Sequence, residues 1–314
     1  MKRVLSLALA GMLALSACGG GGGAGGTRLS IATGGTTGVY YVYGGGYAKL
    51  ITDNIDNTAA TASVTSGSVE NLKLVASGDA DIAFTLGDTA SDAIQGKESF
   101  QGKQPLQALA WVYDNYTHLV AAEGSGITKM SDLKGKRVGI GAPNSGTQVI
   151  ANRMLTAAGL NPKTDITPQQ LGINESVQAA KDGTVDAFFW SGGVPTAGIT
   201  DLTSTKKGTR LVDTTPVLEK LRAQYGDIYR EATVDGSAYG LPEDVQTVIV
   251  PNFVVVNSSM EPELAKQLTA LFFDHKADLV RVHPEAKNLD VKKAQEIAPM
   301  QLHPGAKQYY DEKG

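Results

Sequence analysis

The chain repeats one supersecondary run, and that repetition limits its fold more than any other feature. "IATGGTTGVYY" (31–41) and "IGAPNSGTQVI" (140–150) each read as a short apolar strand, a loop of small polar residues and the start of a helix. Downstream, "LKLVASGDADIAFTLGD" (72–88) and "VQAAKDGTVDAFFWSGG" (177–193) each close a helix with glycine and enter a strand past an aspartate. Gly78 and Gly183 stand 105 positions apart, and Gly38 and Gly146 stand 108 apart. Two similar lobes built from the same run account for both offsets.

Strand and helix signals alternate along the whole body. That is the α/β class, with helices covering a largely parallel sheet. "RLSIAT" is an expected strand, Gly38 to about Ile51 a helix, "ASVTSG" a strand, "SVENLKLVASG" a helix and "ADIAFTL" a strand. In the second half Val149, Ile150, Met154, Leu155 and Ala158 keep helical spacing, and Gly159 ends that helix. The strand in "WVYDNYTHLV" and the β-branched run "VQTVIVPNFVVVN" suit two segments that cross between lobes. The chain would leave lobe I near Thr117 and return near Pro251, with the helical stretch from Glu261 packing back on lobe I. The expected organisation is 28–118 as the first part of lobe I, 119–249 as lobe II, and 250–314 as the return to lobe I.

The N-terminal stretch points to export. Lys2 and Arg3 precede "VLSLALAGMLALSA", which is too short to span a bilayer stably and runs into Cys18. Residues 1–17 read as a lipoprotein signal peptide, with Cys18, the only cysteine, lipidated as the first mature residue. The glycine-rich residues 18–27 make a flexible tether. The expected place is the outer face of the cell membrane, through the lipid anchor, or the periplasm. Lys2 and Arg3 are the only charges before Cys18, so the net charge of −4 becomes −6 in the mature chain. With no basic stripe, that balance argues against nucleic acid as a partner.

Catalytic patterns are missing where the chemistry would need them. Gly38 is followed by Val39 and Tyr40, so no lysine reaches a terminal phosphate as in a P-loop, and "GGTTG" lacks the spacing of a dinucleotide fingerprint. Ser131 to Lys134 fits S-x-x-K without the accompanying motifs, and helix capping is the expected role of Ser131. His118, His275, His283 and His303 are scattered without metal-ligand spacing, and His283 and His303 are expected to be solvated or locally bonded. No metal, cofactor or enzymatic activity is expected.

The glycine-rich helix starts have a use without catalysis. The first N–H groups of a helix lack internal partners and carry partial positive charge. Two such ends facing one cleft could hold a carboxylate, helped by the hydroxyls of Thr36, Thr37, Ser145 and Thr147. Neither loop holds Lys or Arg; Arg137 is expected at a strand start and Arg153 on a helix surface. Open α/β sheets bind ligands beyond the carboxyl ends of their strands. That places Trp190, Ser191 and Gly192 at the rim of one lobe and Thr85 and Asp88 at the matching place in the other. The candidate ligand residues are therefore Gly35, Thr36, Thr37, Gly38, Tyr40, Thr85, Asp88, Asn144, Ser145, Gly146, Thr147, Trp190, Ser191 and Gly192.

Five motifs, "TGGTTGVYYVYGGGYAKL", "NLKLVASGDADIAF", "DLKGKRVGIGAPNSGT", "AAKDGTVDAFF" and "LHPGAKQYYDEKG", stand in the order found in the TAXI group of TRAP transporter solute receptors, which the chain resembles from about Leu29 to Gly314. The resemblance implies a periplasmic-binding-protein-like fold of type II, with a hinge and an interlobe cleft. It also implies delivery of a small carboxylate, such as glutamate, glutamine or a C4–C5 dicarboxylate, to a TRAP-type permease driven by an ion gradient. The group's opening usually reads T-G-G-T-G-G-V-Y-Y-P; here Thr37 replaces a glycine and Val42 the proline, and Asn144 stands where glycine is common. Other readings are the receptor of an ATP-driven importer, a ligand-sensing module of a signalling system, and a surface enzyme using Ser131 or Ser145.

Overall fold

A computed structural model describes residues 26–313. The expected signal peptide, Cys18 and most of the expected tether therefore lie outside the described residues. The first run is β1 (Thr27–Ala32), α1 (Val39–Asn54), β2 (Thr58–Ser63), α2 (Ser68–Ser77), β3 (Ile82–Leu86), α3 (Gly87–Gln95) and β4 (Leu106–Ala121). It recurs as β5 (Arg137–Gly139), α4 (Gly146–Ala157), β6 (Thr167–Gln169), α5 (Ile173–Lys181), β7 (Ala187–Gly192), α6 (Ala197–Thr205) and β8 (Arg210–Val212). Then come α7 (Leu218–Tyr225), β9 (Arg230–Val234), β10 (Val245–Asn257), α8 (Pro262–Asp274), α9 (Lys276–Val282) and α10 (Pro304–Lys313).

Strand order shows the repeat as architecture. One lobe runs β2-β1-β3-β10-β4, and the other runs β6-β5-β7-β4 with β8 on the far side of β4. Each lobe thus receives one long strand from outside its own run. β4 pairs with β10 through Leu106–Tyr116 and with β7 through Tyr116–Ala121, so it passes from one sheet into the other. β10 pairs with β9 over Val245–Ile249 and with β3 over Asn252–Val256. Pro251 falls in the gap between those two ladders, where its missing N–H breaks no bond on that side.

Helices cover both faces of each sheet. In lobe I, α1, α8, α9 and α10 enclose a core containing Ile31, Tyr43, Tyr47, Phe84 and Phe272, while α2 and α3 cover the other face around Leu72, Trp111 and Phe253. In lobe II the matching cores gather around Ile150, Met154 and Phe189, and around Phe188, Ile199 and Leu202. Burial on both faces explains why β10 is apolar almost throughout.

Three expectations need correction. The second strand ends at Ser63 rather than spanning "ASVTSG", so Val64–Gly67 form a loop. The helix after Glu261 breaks at His275 into α8 and α9. Arg153 is buried, not on a helix surface. It reaches across the lobes to Asp92 at 2.6 Å and Asp88 at 3.5 Å, donates to the Tyr229 hydroxyl at 3.0 Å and lies over the Tyr225 ring.

That cluster generates a prediction. Arg153→Leu leaves Asp88 and Asp92 without a counter-charge, and breaking a buried pair in this way typically costs about 3–5 kcal/mol. Urea titration should show the unfolding midpoint fall. An unchanged midpoint would mean that the lobes part to hydrate both carboxylates.

Candidate functional site

Between the lobes lies a cavity of about 560 Å³. Four loops surround it, each leading into the N-terminus of a helix: α1 and α2 in lobe I, α4 and α5 in lobe II. The N-cap residues of α1, α2 and α5 are Gly38, Gly67 and Gly172, and none makes a side-chain cap bond. Only α4 is capped by its own side chain, Ser145, which accepts from the Gln148 N–H. The first N–H groups of α1 and α5 are thus left for whatever occupies the cleft.

Ten of the expected residues line the cavity: Gly35, Thr36, Gly38, Tyr40, Ser145, Gly146, Thr147, Trp190, Ser191 and Gly192. Four do not. Thr85 is fully buried and its hydroxyl bonds the Leu86 carbonyl; Asp88 is committed to Tyr229 and Arg153. Thr37 turns to a second hollow beside Val42 and Pro195, and Asn144 is exposed with its carbonyl accepting from the Glu70 N–H. Thr37 and Asn144 therefore stand outside the lining of the cavity. Ser131 is exposed, and it is Asp132 that accepts from the Thr128 and Lys129 N–H groups.

Sequence reasoning missed Thr65, Ser66 and Gly67 because they were assigned to a strand, and Ser68 and Glu70 because the start of the helix after it was not taken to face the cleft. It also missed Gly172, Asn174 and Glu175 at the start of α5, and Tyr113 on β4. The repeat held the signal: each run contains a second strand–loop–helix step, and its loop opens on the same edge as the first. Glu70 and Glu175 are the only Asp, Glu, Lys or Arg lining the cavity among the described residues. Each stands three positions into its helix, and the Glu70 carboxylate accepts from the Ser66 N–H at 2.7 Å.

The cleft is closed. Asn174 of lobe II bonds the hydroxyls of both Thr36 and Thr37 in lobe I. A Cβ at Gly38 would come within 3.3 Å of the Trp190 ring, and one at Gly146 within 2.6 Å of the Ser68 hydroxyl and a Leu86 methyl. These two loop glycines let the lobes meet. Trp190 is held by its indole N–H on Thr196, whose N–H donates to Tyr239. No set of three or more metal-ligating side chains converges, and no helix is long and apolar enough to cross a membrane, among the described residues.

A two-lobed α/β fold with crossing strands and a closed interlobe cleft is the architecture of periplasmic binding proteins. Residues 31–314 match the NMT1-like family, and the chain belongs to that family. Solved structures share the fold at low identity. A Xanthomonas citri protein bound to ATP is 12% identical over 91% of this chain and 98% of its own, with a TM-score of 0.53. An ancestral arginine-binding protein bound to arginine is 14% identical over 82% and 97%, at 0.51. A candidate L-cystine ABC transporter from Listeria monocytogenes is 13% identical over 82% and 94%, at 0.50.

Another interlobe contact carries a carboxyl shifted by burial. Glu285, buried after α9, accepts from the Val194 N–H of lobe II and from Asn288, both at 2.7 Å. Burial pushes its carboxyl up to about 7, against the lowering effect of those two donors, with Asp114 raising and Lys293 lowering it further. A carboxyl raised in the folded state binds extra protons there. Its contribution is therefore full below about 4.5 and is lost as pH rises toward about 7. Burial pushes His118 down to about 4 and lowers His283, and these act in the opposite sense. Comparison with Glu285→Gln isolates the carboxyl: the wild type should lose melting temperature relative to the variant between pH 4.5 and 7. Parallel curves would mean that water reaches Glu285.

Proposed function

We propose that this chain is an exported, non-enzymatic solute receptor whose interlobe cleft binds a small carboxylate and hands it to a membrane importer. The observation that carries this reading is the convergence of four helix N-termini on one cleft lined by no Lys or Arg among the described residues. Backbone N–H groups and helix dipoles bind either anion, but a lining with two glutamates and no cation among the described residues suits a singly charged carboxylate better than a phosphate dianion. Glu70 and Glu175 favour an acid that also bears an ammonium group, so glutamate and glutamine fit better than C4–C5 dicarboxylates without one. The cavity leaves room for bridging waters, each needing about 30 Å³.

In this reading residues 1–17 are the signal, Cys18 carries the lipid, 18–27 form the tether, 28–118 and 250–314 make lobe I, and 119–249 make lobe II. The likeness to the Listeria protein supports an ATP-driven importer as the partner. The five TAXI motifs support a TRAP permease driven by an ion gradient. Uptake by membranes carrying receptor and permease separates the two: vanadate stops the first, and collapse of the ion gradient stops the second.

The binding claim is tested by a thermal-shift screen of refolded protein against amino acids, dicarboxylates, oxo-acids, sugars and phosphates. A ligand at 100 times its Kd adds about 2.7 kcal/mol, enough to move the midpoint by several degrees. Shifts confined to acids are expected, and they should weaken in Gly146→Ala, which obstructs closure. Shifts for sugars or phosphates alone would contradict the reading.

A further inference from the structure

The floor of the cleft is built by the crossing strands, and buried polar atoms without partners collect there. Tyr113 on β4 lines the cavity, is wholly buried, and its hydroxyl has no hydrogen-bond partner among the described residues. Of the eight side chains with such an atom among the described residues, it is the one that lines the cavity. Two more lie close by in the ladder. Asn252, opposite Tyr113 on β10, accepts from the Tyr40 hydroxyl and leaves its Nδ2 unpaired. Asn115 donates to the Ser191 hydroxyl and leaves its Oδ1 unpaired.

Backbone geometry singles out the same place. The β4–β10 ladder passes from Asn252–Tyr113 to Phe253–Trp111 and skips Val112. Such bulges re-aim side chains beside functional sites. A buried hydroxyl without a partner costs folding energy that a ligand can recover. Burial also raises the Tyr113 phenol well above its usual value, so it stays neutral and can both donate and accept.

We propose that Tyr113 contacts the ligand and selects acids carrying a second polar group, its hydroxyl bonding the part of the solute that the helix N-termini do not hold. This rests on the reading of the cleft as a carboxylate site. The solute class is a functionalised acid, amino, amide, hydroxy or dicarboxylic, rather than a plain alkyl monocarboxylate. A site built to hydrogen-bond such a group discriminates strongly against the analogue that lacks it.

The test is calorimetric titration of wild type and Tyr113→Phe with glutamate, glutamine and pentanoate. Wild type should bind at least one of the polar acids ten-fold or more tighter than pentanoate. Tyr113→Phe should weaken that acid about ten-fold, leave pentanoate unchanged and keep or raise the ligand-free melting temperature. Equal affinities in the two proteins would overturn the proposal, as would a lowered ligand-free melting temperature with unaltered affinity, which assigns the hydroxyl to folding. Absence of binding by wild type to all three would instead remove the carboxylate reading, and this inference with it. The Tyr113 ¹³Cζ resonance of the unaltered protein gives an independent readout: it should shift on addition of the polar acid, and a fixed resonance would overturn the contact even if the variant folds poorly.

Discussion

The pairing of β4 with β10 is the interaction on which the rest of the molecule depends. These strands are the long ones, and each is shared between the lobes, so neither sheet is complete without a strand that continues into the other. Their apolar residues are enclosed by helices on both sides, which makes this the part of the structure least able to open. Pro251 sits where β10 changes partners, a position that tolerates a missing donor and lies between the lobes. The loops that line the cavity hang from the ends of shorter strands around this fixed floor.

The lobes meet through contacts of different character. Gly38 and Gly146 permit close approach, and Asn174 ties the two threonines of the first loop by neutral hydrogen bonds. The charged contacts stand apart from these. Arg153 binds Asp88 and Asp92 away from the cavity lining, and the Glu285 carboxyl takes an N–H from the lobe II loop. Closure therefore buries ionisable groups whose partners come from the opposite lobe. Their desolvation is offset only when both lobes are in place. The cavity itself keeps its fixed charge low, leaving backbone dipoles and two carboxylates to define what it accepts.

The fold was legible where local pattern and tertiary role agree. β10 could be bounded from its β-branched run because a strand covered on both faces reads as apolar throughout. The helix starts were legible from their glycines. β2 was misplaced because it is an edge strand of small, half-exposed residues, TAATAS, with little signal of its own. The break at His275 was hidden because apolar spacing continues on both sides of it. Asp88 and Arg153 were misjudged for a third reason: each is satisfied by the other across the lobe boundary, and no pattern within either helix records that. Tyr113 was missed because its position depends on a bulge, and a strand sequence does not show where its ladder skips.

The most direct measurement is the structure of the complex with whichever acid gives the largest thermal shift. The account predicts carboxylate oxygens within hydrogen-bond distance of backbone N–H groups at the starts of α1 and α5, with the lobes closed as here. An acid bound outside the cleft, or bound in it with its carboxylate turned away from those helix ends, would contradict the account.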